Sequence, residues 1–126
     1  MTQMNDETLL YTKDELEFRR KVREWVEKEI TPLAEKIKHP DFDYRSYFKK
    51  LGDFGLSGLL IPEKYGGSEK PFMYQLIAGE EISAVCPSAT MMFGASCTLS
   101  AIPILRFGTE EQKEKYLVPL AKGEKI

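Results

Sequence analysis

Apolar residues recur at helical spacing over the first third of the chain. Thr12 and Glu15 form the S/T-x-x-E capping box that predicts the start of a helix. The apolar positions that follow recur at helical spacing, with charged residues on the other face: Phe18, Val22, Trp25, Val26, Leu33 and Ile37. Pro32 has no backbone N–H to donate, so it predicts a kink or a short break near Ile30.

A second, shorter helix is predicted over residues 43–54. Its pattern places Tyr44, Phe48 and Leu51 on one face, and Gly55 is well placed to end it in a left-handed conformation. Glycines and prolines then interrupt all periodicity in residues 56–71, which indicates a loop. This loop is rich in Leu and Ile, so we expect part of it to pack against the core.

Three further helices are predicted in the second half of the chain. Phe72–Val85 should turn Phe72, Leu76, Ile77 and Ile82 toward the core, with Gly79 allowing a neighbour to approach closely. Pro87–Phe107 contains one charged residue, Arg106, and a helix without a polar face is usually buried on several sides. Gly108 should end it, and the capping box of Thr109 and Gln112 predicts a last helix to about Ala121.

The predicted fold class is all-α. No stretch shows the alternating, turn-bounded pattern of a β-strand. A chain of 126 residues fits a single domain. We therefore expect an orthogonal bundle of five to six helices over residues 13–126, preceded by a flexible segment at residues 1–12.

Composition excludes several classes of function. The formal net charge of −2 gives no attraction to nucleic acid or to an anionic membrane. The longest apolar runs look too short to cross a bilayer, and the first dozen residues lack a secretion signal, so we expect a cytoplasmic protein. Cys86 and Cys97 have neither metal-ligand nor CxxC spacing, and both are expected to be reduced, buried thiols.

Three candidate sites are weak when judged from residue type and spacing. Glu80 and Glu81 point about 100° apart on a helix, so they do not form a facing acid–base pair, and we expect one solvated glutamate and one in a local ion pair. Gly66-Gly67 lacks the strand and the residues of a phosphate loop and is expected to be a turn. His39, next to Pro40, is expected at the surface near a helix end.

The uncharged helix is the best candidate for function. It combines flexible thioethers with small residues, which could line a slot for an acyl chain or simply fill a core: Met91, Met92, Ala95, Ser96, Thr98 and Leu99. Composition and spacing favour the core interpretation and leave the slot open.

The order of motifs resembles the N-terminal domain of acyl-CoA dehydrogenases. The matching segments are VEKEITPLA, LGDFGLSGLLIPEKYGG, the GEEIS helix and IPILRFGTEEQKEKYLVPLAKGEKI, and together they cover roughly residues 13–126. The most specific are PEKYGG and FGTEEQKEKYLVPLAKGE. Members of this family follow the helical domain with a middle β domain and a C-terminal helical domain.

The resemblance implies a chemistry that this chain supplies only in part. Family members are FAD enzymes that oxidise the Cα–Cβ bond of an acyl-CoA thioester and pass electrons to an electron-transfer flavoprotein. In the family the flavin site begins in the middle domain and the catalytic glutamate comes from the C-terminal domain. We therefore expect no catalytic or cofactor-binding residue here, neither Glu80 nor Glu81 as base, and a chain that alone is inactive and binds FAD poorly.

The resemblance also implies substrate-binding residues. In register with Ile102-Pro103-Ile104, the positions Met91, Met92, Ala95 and Leu99 fall where the family's helix faces the acyl chain. Some medium-chain members carry a larger acidic residue at the position of Ala95. Alanine there would leave a deeper pocket, so the sequence suggests a medium or long acyl chain.

Two hypotheses follow. In the first, the chain is part of a flavin-dependent acyl-CoA dehydrogenase, either truncated or encoded by a split gene, and it associates with the missing domains or with itself. In the second, it is a non-catalytic helical interaction or oligomerisation module derived from that family. A Thr-Glu-Pro segment encoded shortly after Ile126 would favour truncation.

Overall fold

The structure is a computed structural model that describes residues 10–125, and its regular elements are helices. The α-helices are α1 (Lys13–Trp25), α2 (Tyr44–Phe54), α3 (Phe72–Val85), α4 (Pro87–Gly94), α5 (Ala101–Phe107) and α6 (Glu110–Ala121). No strand occurs in residues 10–125, so the all-α prediction is confirmed. Most of the expected N-terminal segment, residues 1–9, lies outside the described part, as does residue 126.

Helix α1 begins and ends as its sequence predicts. The Thr12 hydroxyl accepts from the Glu15 N–H, and the Glu15 carboxylate accepts from the Thr12 N–H, which completes the capping box. After Trp25 the helix widens into a π-helix, Val26–Ile30, and then tightens into a 3₁₀ turn, Thr31–Leu33, that contains Pro32. The predicted break thus occurs as a change of helix type, and another 3₁₀ turn, Lys36–Lys38, follows it.

Helix α2 and the following loop also match the sequence. Asp43 caps the helix by accepting from the Ser46 N–H, and Gly55 ends it in the left-handed region with φ 93°. The loop holds one 3₁₀ turn, Glu63–Tyr65. It packs inward as expected, with four buried apolar side chains: Leu56, Leu59, Ile61 and Tyr65.

Helix α3 has the predicted bounds but a different buried face. Ile77 and Ile82 are fully buried, whereas Phe72 and Leu76 are exposed, so the prediction was wrong for those two. Gly79 was also misjudged, because a Cβ added there would meet no atom within 4 Å outside its own helix backbone. The core face instead takes in Ala78 and the polar residues Gln75 and Glu81. Periodicity alone did not separate the two flanks, since apolar residues occur on both.

The helix predicted at Pro87–Phe107 is continuous, but it is not buried on several sides. It runs through α4, a π-helix at Ala95–Ser100, and α5. One flank lies in the core: Ala89, Phe93, Cys97 and Ala101. The opposite flank is open, with Met91, Leu99 and Phe107 exposed. Neighbouring helices of the described chain cover only one side, which corrects the expectation of a deeply buried helix.

The same helix changes the expectation about membranes. Pro87–Phe107 is 21 residues long with a mean hydropathy of 1.4, so by length and composition it could cross a bilayer, and 28% of its most apolar window is buried. The statement that every apolar stretch is too short was therefore wrong. One such helix is weak support for a membrane span, because core helices of soluble proteins meet the same criterion.

The buried side chains form a large and a small cluster. The larger one joins α1 and its π-helical continuation to α2, α3 and α4, around Tyr47, Ile82 and Phe93. The smaller one holds α5 and α6 against the loop through Ile61, Tyr65, Ala101, Leu117, Leu120 and Ala121. A Thr109–Gln112 capping box starts α6 as predicted. Gly108 ends α5 in an extended conformation instead of a left-handed one.

Candidate functional site

A groove lies between α2 and the long apolar helix. Its volume is about 460 Å³, and its lining residues are Tyr44 and Phe48 from α2 and Met92, Ala95, Ser96 and Ser100 from the facing helix. Phe48, Met92 and Ala95 present only apolar groups, and Tyr44, Ser96 and Ser100 each carry a hydroxyl. A largely apolar groove of this size lies within the roughly 300–1,000 Å³ range of small-molecule sites.

A buried hydrogen bond fixes the two walls of the groove relative to each other. Tyr47, between the two lining residues of α2, donates from its hydroxyl to the carbonyl oxygen of Ala89 at 2.7 Å. Tyr47 is fully buried, and this burial raises the pKa of its phenol, so the hydroxyl keeps its proton and stays a donor. Its ring also contacts that of Phe48 edge-on, with centroids 5.4 Å apart. The spacing between α2 and α4 is therefore set by the core.

The wall opposite α2 is a π-helix, Ala95–Ser100. In a π-helix the backbone hydrogen bonds span five residues instead of four, and here the Ser100 hydroxyl also donates to the Ala95 carbonyl oxygen at 3.1 Å. Short π-helical turns inside α-helices are frequent at functional sites. No pattern of residues in the sequence predicted this change of helix type.

The four predicted substrate-binding residues do not all line the groove. Met92 and Ala95 line it directly. Met91 and Leu99 lie on the outward flank of the same helix, where they are 75% and 74% exposed. Ala95 is exposed between them, four residues from each. The structure thus brings together an outward apolar strip of Met91, Ala95 and Leu99 and a groove that begins at Ala95.

Sequence reasoning missed the other side of the groove. The sequence placed Tyr44 and Phe48 on one face of α2 but gave no reason to link that face to a site. Phe48 is buried, but Tyr44 is partly exposed and reaches the groove rim. The two residues are more than 40 positions away from Met92 and Ala95, and nothing in a single sequence links segments so far apart. Only their spacing on one helical face was available as a signal.

Glu80 and Glu81 are held by helix α1. Glu81 is buried, and its Oε1 accepts from Arg19 Nη1 at 2.8 Å while its Oε2 accepts from Arg23 Nε at 2.9 Å. Hydrogen bonds from Arg23 and Arg19 hold the pKa of Glu81 below its usual value. Glu80 is more exposed and accepts from Arg19 Nη2 at 2.7 Å. The expected solvated glutamate and local ion pair are thus replaced by one long-range cluster.

The ion pairs of Glu80 and Glu81 with α1 affect whether either glutamate could act as a general base. A general base needs a pKa near the working pH and reach to a substrate proton. Glu81 is the one buried carboxylate among residues 10–125, and its two arginine partners stabilise its ionised form. Neither it nor Glu80 lines the groove. In this structure both glutamates are ion-pair partners of helix α1.

The remaining candidates lie outside this groove. Cys86 and Cys97 are free and buried, and burial raises the pKa of Cys97 to about 12. His39 is exposed at the end of the 3₁₀ turn Lys36–Lys38, as expected. Gly66, with φ 89°, ends the turn Glu63–Tyr65, which confirms the turn interpretation of Gly66-Gly67. Within residues 10–125 no group of three or more possible ligands could hold a metal ion.

Residues 12–124 match the protein family described as "Acyl-CoA dehydrogenase, N-terminal domain". This match covers nearly the whole chain. The chain belongs to the acyl-CoA dehydrogenase family. The resemblance of its motifs to the N-terminal domain of that family is thereby confirmed.

Individual relatives agree with this assignment. The chain is 41% identical over 115 residues to the "Acyl-CoA dehydrogenase, short-chain specific" of Clostridium acetobutylicum, covering 91% of this chain and 30% of that protein. Thus the acyl-CoA dehydrogenase domain spans under a third of the length of that relative. The whole enzymes of the family therefore contain much more polypeptide than this sequence.

Solved structures show the same fold. An acyl-CoA dehydrogenase from Bacillus anthracis, complexed with FAD, matches with a TM-score of 0.85 at 30% identity, over 96% of this chain and 21% of that one. A structure described as the electron transferring flavoprotein of Acidaminococcus fermentans matches with a TM-score of 0.83 at 34% identity, over 92% of this chain and 30% of that one. These similarities relate the domain to FAD-containing proteins without locating a flavin on it.

Proposed function

We propose that this chain forms one wall of the acyl-chain pocket in an FAD-dependent acyl-CoA dehydrogenase that desaturates acyl-CoA thioesters between Cα and Cβ. The observation that carries the proposal is the open apolar flank of the long helix. A domain of this size buries most of its large apolar side chains, yet Met91 and Leu99 remain largely exposed beside an apolar groove. An acyl chain is a ligand that such a surface suits.

In this proposal Met91, Met92, Ala95 and Leu99 contact the acyl chain. Methionine side chains adapt to flexible hydrocarbon because they have several rotatable bonds and a polarizable sulfur. Ala95 is small and lies where the exposed strip meets the groove. A chain lying on the strip can therefore bend inward past Ala95, which favours acyl chains longer than butanoyl.

The residues of this groove do not suit FAD. A flavin requires donors for its ring edge and for its pyrophosphate, and phosphates favour glycine-rich backbone or cationic side chains. The groove offers two serine hydroxyls and no cationic side chain. We therefore propose that the flavin, which accepts hydride in this chemistry, and the catalytic base belong to polypeptide outside the segment. We also propose an electron-transfer flavoprotein as acceptor and a homo-oligomeric enzyme, by analogy with the family.

A chimera tests the proposed function. Residues 12–124 would replace the matching segment of the Clostridium relative, and the product would be tested for bound flavin and for dye-coupled oxidation of butanoyl-CoA and octanoyl-CoA. We expect a yellow, active enzyme. Ala95→Phe should reduce activity toward octanoyl-CoA more than toward butanoyl-CoA, because the larger ring blocks the entrance to the groove.

Ala84→Phe is the matched control, because Ala84 is an exposed alanine on α3 that lines no part of the groove. Equal effects of the two substitutions, or unchanged selectivity in Ala95→Phe, would contradict the acyl wall. A folded, flavin-loaded chimera without turnover would favour the second candidate, a non-catalytic interaction module.

One observation supports that second candidate. A separate groove of about 420 Å³ lies between α5 and α6, lined mostly by apolar residues and including exposed Phe107 and Tyr116. Apolar surface of this kind often marks a protein interface. The purified chain should then self-associate in light scattering, and it should remain colourless. Stoichiometric FAD on the chain alone would contradict a flavin site located elsewhere.

A further inference from the structure

We propose that Tyr44 closes one end of the acyl groove and thereby sets the longest acyl chain that the site accepts. This inference rests on the proposed function, because it assumes that Met92 and Ala95 contact the acyl chain. It adds a specificity-determining residue on a different helix, α2, which faces the long apolar helix across the groove.

One wall of the groove is built by α2. Phe48 is buried and provides a fixed floor. Tyr44 lies one helical turn earlier and is 42% exposed, so its ring forms the rim where the groove meets solvent. The ring of Tyr44 is held edge-on by Phe42, with centroids 5.2 Å apart and an interplanar angle of 84°. It is therefore a supported barrier at the end of the groove.

The chemistry of the lining suits a hydrocarbon. Ser100 donates its hydroxyl hydrogen to the Ala95 carbonyl, so this proton is already committed. Tyr44, Phe48, Met92 and Ala95 contribute mainly carbon surface. A polar ligand would lose hydrogen bonds to water and find few partners among these groups, which costs free energy. Burial of each methylene group of a hydrocarbon chain is favourable instead.

The width of the groove is fixed, which leaves its length to determine selectivity. The hydrogen bond from Tyr47 to Ala89 ties α2 to the start of the long helix from inside the core. An acyl chain that has passed Ala95 therefore meets the Tyr44 ring before it reaches solvent. Replacing Tyr44 by a smaller residue should open this end of the groove, and replacing it by a larger residue should shorten the groove.

The test uses the chimera described above with ¹³C-labelled methionine methyl groups, observed by NMR during titration with free CoA, butanoyl-CoA, octanoyl-CoA and dodecanoyl-CoA. Shifts of the Met91 and Met92 methyls with acyl-CoA, but not with free CoA, report on the acyl wall. The ratio of dodecanoyl to octanoyl affinity reports on the end of the groove. In the wild type this ratio should be close to one.

Tyr44→Ala should raise that ratio about tenfold or more, because additional methylenes can then occupy the space of the Tyr44 ring. Tyr44→Phe should keep the wild-type ratio, and Tyr44→Trp should weaken octanoyl-CoA relative to butanoyl-CoA. Tyr116→Ala is the matched control, since Tyr116 is 47% exposed and lies on α6, away from this groove. It should leave every ratio unchanged.

The outcomes separate the two proposals. If the Met91 and Met92 methyls respond but Tyr44→Ala and Tyr44→Trp keep the wild-type ratios, the role of Tyr44 is refuted and the acyl wall stands. If neither methyl responds to any acyl-CoA, the acyl wall itself is refuted, and the inference with it. Equal changes in Tyr44→Ala and Tyr116→Ala would also overturn the inference, because they would indicate a general effect on the fold.

Discussion

Arg19 on α1 donates from Nη1 to Oε1 of Glu81 on α3 across 2.8 Å, in a contact that is buried on both sides. Arg23, one turn further along α1, donates to the other oxygen of the same carboxylate. This arrangement joins the first and third helices through charge as well as through apolar packing. It sets the register of α1 on α3, since both arginines must reach one carboxylate.

Removing the Glu81 charge should destabilise the fold. Breaking one partner of a buried ion pair costs about 3–5 kcal/mol, and Glu81→Gln should fall near the lower end because Glu80 still accepts from Arg19. Urea unfolding followed by circular dichroism measures this loss. Glu17→Gln, which removes an exposed partner of Arg20, is the control and should leave the unfolding midpoint almost unchanged. Equal midpoints for the two variants would contradict a structural role for the cluster.

The same carboxylate predicts a pH dependence. The arginines lower the pKa of folded Glu81 below its ordinary value of 4.5, so its contribution is fully present above that value. The contribution is lost as the pH falls through the lower pKa of the folded state. Between about pH 6 and pH 3 the wild type should therefore lose stability faster than Glu81→Gln. A difference between the two proteins that stays constant over this range would refute the assignment.

Two glycines should respond in opposite directions to alanine. A Cβ at Gly67 would lie 1.9 Å from the Ile61 carbonyl oxygen, so Gly67→Ala must displace backbone and should cost about 1–3 kcal/mol. Gly79 is inside α3 with open space at its Cβ position, so Gly79→Ala should gain about 0.5–1 kcal/mol in helix propensity. Thermal unfolding of both variants tests the pair. A stabilised Gly67→Ala would show that this part of the loop is not packed as described.

Cys97 should be unreactive in the folded protein. It is 2% exposed and its pKa is raised to about 12, so little thiolate forms near neutral pH and reagents have no access. Modification by a disulfide reagent, followed by mass spectrometry, should find Cys97 unmodified in buffer and fully modified in urea. Rapid labelling of Cys97 without denaturant would indicate that the long helix opens away from α2 and α3.

Much of the secondary structure followed from local chemistry. The capping boxes at Thr12 and Thr109 and the left-handed Gly55 mark helix ends, and these depend on residues at most a few positions apart. The break at Pro32 is local for the same reason, because the ring acts on the turn that contains it. Loop 56–71 was correctly expected to pack inward from its leucines and isoleucines.

Only one of the two walls of the candidate site was predicted from the sequence. Met92 and Ala95 were identified through the family resemblance, and the structure places both in the groove. Tyr44 and Phe48, which face them, were predicted only to share one face of α2. A lining made from two helices depends on which faces meet, and that depends on the packing of the whole chain.

The sequence by itself determined the all-helical class, most helix boundaries and the acyl-CoA dehydrogenase family. Caps, helix breakers and motifs each depend on residues that are close together in the sequence. Only the tertiary structure decided which flank of Pro87–Phe107 is open, which arginines hold Glu81, and that α2 completes the groove. The physical reason is that a helix with apolar residues on every side could bury any of its faces, so its sequence does not select one. Its orientation comes from the neighbours that pack against it.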